Sequence, residues 1–190
     1  MVRAAVQRSS ARERVLEAAV NLFAEHGVHG TSLQMIADRL EVGKASVYYQ
    51  FRTKDEIVLA VVRPIFDDLA RVVTIASALS SPEAQRDATL SGVVELCVRH
   101  RNIAALFHGD HYVDNLVRTH MEFEQSAETL RNLLIGSDRN TQNRVTISMV
   151  TAGIFASTAD PHLSDISDVE LRRALLNCAQ QLLRVAIPHH

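Results

Sequence analysis

Helical periodicity runs through nearly the whole of this 190-residue chain and restricts its possible folds more than any other feature. Apolar residues recur every three or four positions in successive segments, and no alternation of apolar and polar residues is long enough to predict a sheet. The apolar fraction of 47% excludes general disorder and provides for a sizeable core. The sequence therefore predicts an all-α protein.

Capping residues, glycines and prolines divide this pattern into helices. Gly27 stops the first helix, and a hydroxyl at Thr31 or Ser32 caps the second. Pro64 interrupts the fourth, so we expect a kink or break near residues 61–63. The predicted helices cover residues 10–26, 31 or 32 onward, 44–51, 54 onward, 82–100, 103–108, 113–117, 120–135, 138–157 and 168–187.

Residues 31–54 read TSLQMIADRLEVGKASVYYQFRTK, two short helical patterns around a tight connection. In a helix-turn-helix, such a pair packs through small and branched side chains while the second helix projects a polar face. The packing residues are Ala37, Val42, Val47 and Phe51. The exposed side carries Lys44, Ala45, Tyr48 and Tyr49, with Gln50 at its edge.

The two adjacent tyrosines allow two interpretations. Exposed hydroxyls beside a lysine suit the phosphate oxygens of DNA, whereas Tyr48 or Tyr49 would otherwise close the core of the small domain. Charge favours DNA at this end of the chain: residues 1–54 carry a net +3, although the whole chain carries −2.

Residues 11–60 resemble the DNA-binding domain of the TetR family of bacterial transcriptional regulators. The matching segments are RERVLEAAVNLFAEHGVHGTSLQMIADRL, KASVYYQF and TKDEI, which together cover about a quarter of the chain. The resemblance implies a three-helix helix-turn-helix DNA-binding domain in residues 1–54. It also implies a helical effector-binding and dimerisation domain in residues 55–190.

The resemblance implies DNA contacts residue by residue. Lys44 and Ala45 match positions that touch base edges, where lysine reads guanine and alanine meets a thymine methyl. The remaining contacts, to the backbone or the groove, are Thr31, Ser32, Gln34, Ser46, Tyr48, Tyr49, Gln50 and Lys54. Arg3, Arg8 and Arg12 form either an arm in the minor groove or an exposed, solvated tail.

Two residues depart from the family pattern in the turn. Glu41 stands where glycine is usual, which costs about 1 kcal/mol if a positive φ is required. Gly43 replaces the usual serine, a tolerable change at an N-cap.

By resemblance, the protein is a repressor that binds a pseudo-palindromic operator as a dimer and is released by a small-molecule effector. Because Pro64 interrupts the helix that joins the two domains, our hypothesis places it at the pivot of this response. Half-sites in such operators lie about 34 to 36 Å apart. We predict no cofactor, no metal and no enzymatic activity. Two alternatives remain open. The first is an enzyme that uses Cys97 with His100, or a cluster of histidines and Asp114, as nucleophile and base; the second is a helix-turn-helix protein that acts on chromosome organisation or division without a small-molecule signal.

The effector site is predicted on the central helices, and an apolar or aromatic ligand is expected there. The candidate lining residues are Cys97, His100, Phe107, His108, Tyr112, His120, Phe123, Thr146 and Met149, which also suit an ordinary core. A metal site among His100, His108, His111, Asp114 and His120 is the alternative, but a helix break at residues 109–110 makes a polar surface loop the preferred interpretation.

The last two predicted helices carry an apolar stripe wider than one neighbouring helix requires. We therefore expect a homodimer through these helices; the alternative is that both are simply core. Cys97 and Cys178 are expected as buried, reduced thiols of a cytoplasmic protein, with a redox switch as the alternative. We predict no signal peptide and no membrane span, because the longest uncharged stretch, residues 145–159, is too short for a bilayer.

Overall fold

The computed structural model describes the backbone of residues 10–186 and the side chains of residues 10–184. These residues form α-helices and one 3₁₀ turn without any strand, which confirms the all-α prediction. The helices are α1 (Ala11–Gly30), α2 (Leu33–Arg39), α3 (Lys44–Gln50), α4 (Lys54–Ser77), α5 (Pro82–Arg99), α6 (Arg101–Phe107), α7 (His111–Arg118), α8 (Met121–Ile135), α9 (Thr141–Ala159) and α10 (Asp168–Ala186).

The chain divides into two compact units between Val62 and Arg63. The N-terminal unit contains α1, α2, α3 and the first turns of α4. Its core joins the buried side chains of α1 to Ile36 and Ala37 of α2 and to Val47 of α3. The buried apolar side chains of this unit are Val15, Ala18, Ala19, Leu22, Phe23, Val28, Ile36, Ala37, Val47, Phe51, Ile57, Val58, Val61 and Val62.

Local sequence signals set both ends of helix α1. Ser10 and Glu13 form a capping box, in which the Ser10 amide donates to Glu13 Oε2 at 2.7 Å and the Glu13 amide donates to Ser10 Oγ at 3.2 Å. Gly27 has φ 70° and ψ 168°, so regular helical geometry stops there before a final turn reaches Gly30. The predicted stop at Gly27 is confirmed.

Helix α4 continues through Pro64 without ending, so of the kink or break expected near residues 61–63 the break does not occur. Proline removes one intrahelical hydrogen bond, which weakens but need not terminate a helix held by packing. Val61 and Val62 are buried just before the proline, and Asp68 is buried one turn after it.

The C-terminal unit is built on α5, α8, α9 and α10. Their facing side chains form a continuous apolar core of Leu90, Val93, Val94, Cys97, Val98, Leu130, Leu134, Ile147, Val150, Ile154, Leu171, Ala179 and Leu183. Within residues 10–186, no helix has the length and apolar character that crossing a membrane requires.

The two cysteines of the C-terminal unit differ in burial. Cys97 is buried, as expected, and burial raises the pKa of its thiol to about 12. Cys178 is exposed, so the expectation that it is buried is wrong. The apolar face of α10 is wider than its contact with the core, and Cys178 lies on the uncovered side.

Candidate nucleic-acid interface

The turn between α2 and α3 has a closely defined hydrogen-bond geometry. The Glu41 amide donates to the Asp38 carbonyl at 3.1 Å, and the Val42 amide donates to the Ala37 carbonyl at 3.0 Å. This is the Schellman pattern that ends a helix through a residue in the left-handed region. Glu41 occupies that position with φ 54°, so the positive φ considered in the sequence is present.

Helix α3 starts at a residue with no capping side chain. Gly43 is its N-cap and makes no side-chain hydrogen bond to the first turn. A Cβ added at Gly43 would meet no heavy atom within 4 Å, so serine would fit here. The helix is therefore held by its packing more than by its caps.

The two faces of α3 differ completely in burial. Val47 and Phe51 are almost fully buried, as predicted. Lys44, Ala45, Ser46, Tyr48 and Tyr49 are exposed, and Gln50 is half-buried. Tyr49 is 88% exposed and Tyr48 is 42% exposed, so the interpretation that one tyrosine closes the core is wrong.

Two cation–π contacts lie at opposite ends of α3. The Lys44 Nζ is 5.3 Å from the centroid of the Tyr48 ring, and the Arg12 guanidinium is 4.3 Å from the centroid of the Phe51 ring. Arg12 therefore belongs to α1 and packs on α3, which departs from both the arm and the solvated tail expected for it. Arg3 and Arg8 lie outside the described residues. The four-residue spacing of Lys44 and Tyr48 is a sequence signal for the first contact.

Thr31 and Lys54, both predicted to contact DNA, make internal hydrogen bonds. Thr31 is 2% exposed, and its hydroxyl donates to the carbonyls of Leu22 at 3.1 Å and Gly27 at 2.9 Å. The Lys54 ammonium donates to the carbonyls of Val28 at 2.7 Å and Thr31 at 3.2 Å. Both side chains therefore satisfy backbone carbonyls at the end of α1, and the surface role assigned to Thr31 is corrected.

The predicted contacts on α2 remain at the surface. Ser32 is exposed, and its hydroxyl accepts a hydrogen bond from the Met35 amide at 3.2 Å. Gln34 is exposed, and its amide donates to Asp38 Oδ1 at 2.7 Å. On the other side of this helix, the hydrogen-bonded guanidinium of Arg39 lowers the pKa of the Glu25 carboxyl on α1. This ion pair ties α2 to α1 and leaves the Ser32 end unobstructed.

In the C-terminal unit, the residues predicted to bind a ligand take varied positions. Cys97, Phe107 and Phe123 are buried, Tyr112 and Thr146 are half-buried, and His108, His120 and Met149 are exposed. Phe123 stacks on Phe66 with ring centroids 3.8 Å apart, and the His120 ring lies 5.1 Å from Phe123. These aromatic side chains pack against each other, as the ordinary-core alternative allows.

His100 is tied to a buried acid that the sequence reasoning missed. Its Nε2 lies 2.7 Å from Oδ2 of Asp68 on α4, and Arg71 and Arg99 bind the same carboxylate. Burial lowers the pKa of His100 below its usual value, and the nearby charge of Arg99 acts in the same direction. The two arginines offset the charge of Asp68, which would otherwise stabilise a protonated histidine. No local pattern distinguishes Asp68 from the exposed Asp67 beside it.

A groove of about 1000 Å³ runs between α8 and α9. Its lining includes apolar Ile135, Val145, Ala152 and Phe155, with Arg131 and Arg144 among its polar residues. Met149 lines a second groove, of about 160 Å³ between α9 and α10, together with Gly153, Cys178 and Leu182. Of the residues predicted to line the effector site, Met149 alone lines one of these two grooves.

The helix break expected at residues 109–110 is confirmed. Gly109 has φ 75°, and the carboxylate of Asp110 caps α7 by accepting from the amides of Tyr112 and Val113. Within residues 10–186, no three His, Cys, Asp or Glu side chains are placed to hold a metal ion.

Residues 15–61 match the family model described as bacterial regulatory proteins of the tetR family. The matched segment contains the whole α2–turn–α3 arrangement with its exposed basic and aromatic face. This segment belongs to the TetR family. Outside this segment, the likeness to known proteins is one of fold.

Two curated proteins are similar to part of this chain. The HTH-type transcriptional regulator RutR of Escherichia coli strain K12 is 37% identical over 59 residues, which cover 31% of this chain and 28% of RutR. The biofilm operon icaADBC HTH-type negative transcriptional regulator IcaR of Staphylococcus aureus strain Newman is 36% identical over 62 residues, which cover 33% of each chain. The chain thus matches at most a third of the length of these relatives.

The fold likeness extends further along the chain. The TetR family transcriptional regulator PfmR from Thermus thermophilus aligns with a TM-score of 0.69 over 90% of this chain and 97% of PfmR, at 19% identity. The helical C-terminal unit therefore shares the fold of PfmR, and the predicted all-α fold class is confirmed.

Proposed function

We propose that this protein is a DNA-binding transcriptional regulator, and most specifically a repressor released by a small-molecule effector. One observation carries the proposal: α3 buries Val47 and Phe51 while presenting Lys44, Ala45, Tyr48 and Tyr49 to solvent. A helix held from behind with an exposed basic and aromatic face has what recognition in the major groove requires. RutR and IcaR, which are similar to this chain over 59 and 62 residues, are both named transcriptional regulators.

The proposed contacts fall into two groups. Lys44 and Ala45 read base edges, while Ser32, Gln34, Ser46, Tyr49 and Gln50 contact phosphates or the groove walls. Thr31 is withdrawn from the second group because its hydroxyl is used internally. Lys54 has an internal role and reaches DNA only through the charge at its partly exposed end.

DNA binding is tested by titrating purified protein into fluorescent duplexes from the promoter beside its own gene and into random duplexes of equal length. Lys44→Ala should weaken operator binding by about 1 to 3 kcal/mol and relax specificity at one base pair. Asn21→Ala, on the exposed surface of α1, is the matched control and should bind as the wild type does. Equal binding of the wild type to operator and random DNA would refute the proposal.

We also propose that the protein acts as a homodimer through α9 and α10. Met149 is 69% exposed and Leu182 is 57% exposed, on either side of the groove that contains Gly153 and Cys178. Large apolar side chains around a small residue favour close approach of a second helix pair. The resulting dimer would read a pseudo-palindromic operator, each unit binding one half-site.

Sedimentation equilibrium tests the dimer. Leu182→Glu should shift the protein to monomer, because the charge would be buried without a partner at the interface. Ile75→Glu, on α4 and 65% exposed, introduces the same charge outside the proposed interface and should leave the dimer intact. A wild-type monomer at micromolar concentration, or equal effects of the two variants, would contradict this interface.

The effector is proposed to bind in the groove between α8 and α9. Its volume of about 1000 Å³ and its mixed apolar and arginine lining suit a small molecule with an apolar or aromatic body. A reporter gene behind the operator should be repressed by the protein and derepressed by a ligand that raises the melting temperature of the purified chain. Phe155→Ala should abolish that stabilisation. Unchanged repression with every ligand that binds would contradict effector release.

A further inference from the structure

We propose that the ring of Tyr48 positions the Lys44 ammonium for contact with a base edge, so that the two adjacent tyrosines of α3 have different roles. This inference rests on the proposed DNA-binding function. In this arrangement Tyr48 acts through its aromatic face, whereas Tyr49 acts through its hydroxyl. The positioning is built into the free protein and precedes any contact with DNA.

The geometry of the Lys44–Tyr48 pair supports this division. The Lys44 Nζ lies 5.3 Å from the Tyr48 ring centroid, within the distance at which an ammonium is attracted to a ring face. The two residues are four positions apart on one helix, so their side chains share a face. Tyr48 is 42% exposed, so its side chain is partly covered and partly open to solvent.

Within the described part of the chain, Tyr49 lacks this relationship. It is 88% exposed, about twice the fraction of Tyr48. A tyrosine so fully exposed offers its hydroxyl to a phosphate without any rearrangement of the protein. The adjacent residues therefore form a natural comparison, in which the same side chain occurs with and without a cation on its ring.

Positioning matters for Lys44 because of where it lies and what it would read. It is the first residue of α3, and its N-cap Gly43 has no side chain to restrain it. A free lysine loses considerable rotamer entropy when its ammonium is fixed on one acceptor. Holding the ammonium over Tyr48 lowers that loss, and Ala45 beside it leaves space for a base edge to approach.

Only the ring face is required for this role. Phenylalanine retains a negative ring face, so Tyr48→Phe should keep Lys44 in place, while Tyr48→Ala should release it. An exposed cation–π contact contributes enough to change binding by about two- to five-fold. Tyr48→Ala should therefore reduce the preference for operator over random DNA by this factor, and Tyr48→Phe should leave it unchanged.

The first measurement needs no DNA. In proton NMR of the full-length protein, the Lys44 ε-methylene resonances should be shifted upfield by the Tyr48 ring. The shift should persist in Tyr48→Phe, disappear in Tyr48→Ala and remain in Tyr49→Ala. Lys44 ε-methylene resonances at random-coil positions in the wild type would overturn the proposal. Both tyrosines are exposed, so these variants should keep the wild-type melting temperature, which circular dichroism checks.

The second measurement is a double-mutant cycle on the promoter and random duplexes, across a series of salt concentrations. Once Lys44 is alanine, Tyr48→Ala should cause no further loss on the promoter duplex, because its effect passes through Lys44. Tyr49→Phe should weaken both duplexes equally. Additive losses for Lys44 and Tyr48, or a loss in Tyr48→Phe as large as in Tyr48→Ala, would overturn the positioning role. If the NMR shift is present but the wild type does not prefer the promoter, the proposed function fails and the base-reading role fails with it.

Discussion

Val72 on α4 and Gly92 on α5 approach so closely that a Cβ at Gly92 would lie 2.5 Å from the Val72 Cγ1 atom. Real Cβ atoms do not tolerate such a distance, and valine cannot easily turn aside because its χ1 is restricted. This close approach lets the two helices pack in the C-terminal unit. Glycine is otherwise unfavourable in a helix interior, so its presence here is explained by packing.

Gly92→Ala should lower the free energy of unfolding by about 1 to 3 kcal/mol, because the added methyl overpacks the contact with Val72. Urea unfolding followed by circular dichroism measures the loss. Val72→Ala in the same chain should recover part of it by making room. Ser91→Ala is the control, since it also introduces alanine on α5 but at an exposed residue. An equal loss in both alanine variants would contradict the steric explanation.

Glu41→Gly should raise the free energy of unfolding by about 0.5 to 1 kcal/mol. Glycine removes about 1 to 2 kcal/mol of left-handed strain at φ 54°, partly offset by its greater freedom in the unfolded chain. Glu41→Ala removes the charge but keeps the Cβ, so it should bring no comparable gain. If the alanine variant is stabilised as much as the glycine variant, the gain comes from removing the Glu41 charge and not from relieving backbone strain.

Lys54→Met should destabilise the N-terminal unit by about 1 to 2 kcal/mol, because the Val28 and Thr31 carbonyls lose their ammonium donor. Arg52→Met removes a cation from an exposed residue close by in the chain and should leave the melting temperature unchanged. Differential scanning calorimetry compares the two. Weaker DNA binding by Lys54→Met at unchanged stability would indicate that its role is a phosphate contact alone.

Stability should fall as the pH drops below about 6.5, and His100 should contribute to that fall. The folded-state pKa of His100 is lowered, so the unfolded chain takes up a proton that the folded chain does not. The contribution is present above pH 6.5 and is lost between that value and the lowered pKa. Urea unfolding at a series of pH values should show a shallower slope for His100→Gln, whose amide can still donate to Asp68. His162→Gln, at an exposed histidine, is the control and should keep the wild-type slope.

Much of the architecture was predictable because the signals that define helices are local. Gly27 stops α1, Asp110 starts α7 after the predicted break, and Pro82 opens α5. The helix-turn-helix was equally predictable, because its buried Val47 and its exposed Lys44 follow from helical spacing, although the burial of the two tyrosines was left open. The break expected at Pro64 failed because packing along α4 outweighs one lost hydrogen bond.

The contacts made by the site residues were less predictable from the sequence than the helices were. A sequence shows that Thr31 and Lys54 are polar, but only the folded chain shows which carbonyls they meet, since the end of α1 and the start of α4 come together through tertiary packing. The same holds for Asp68, buried beside His100 while Asp67 stays exposed. The sequence alone determined the helices, their order and the exposed face of α3, because periodicity and caps act within a few residues. The tertiary structure decided which polar groups are used internally and which sides of α9 and α10 stay uncovered, because burial depends on neighbours distant in the chain.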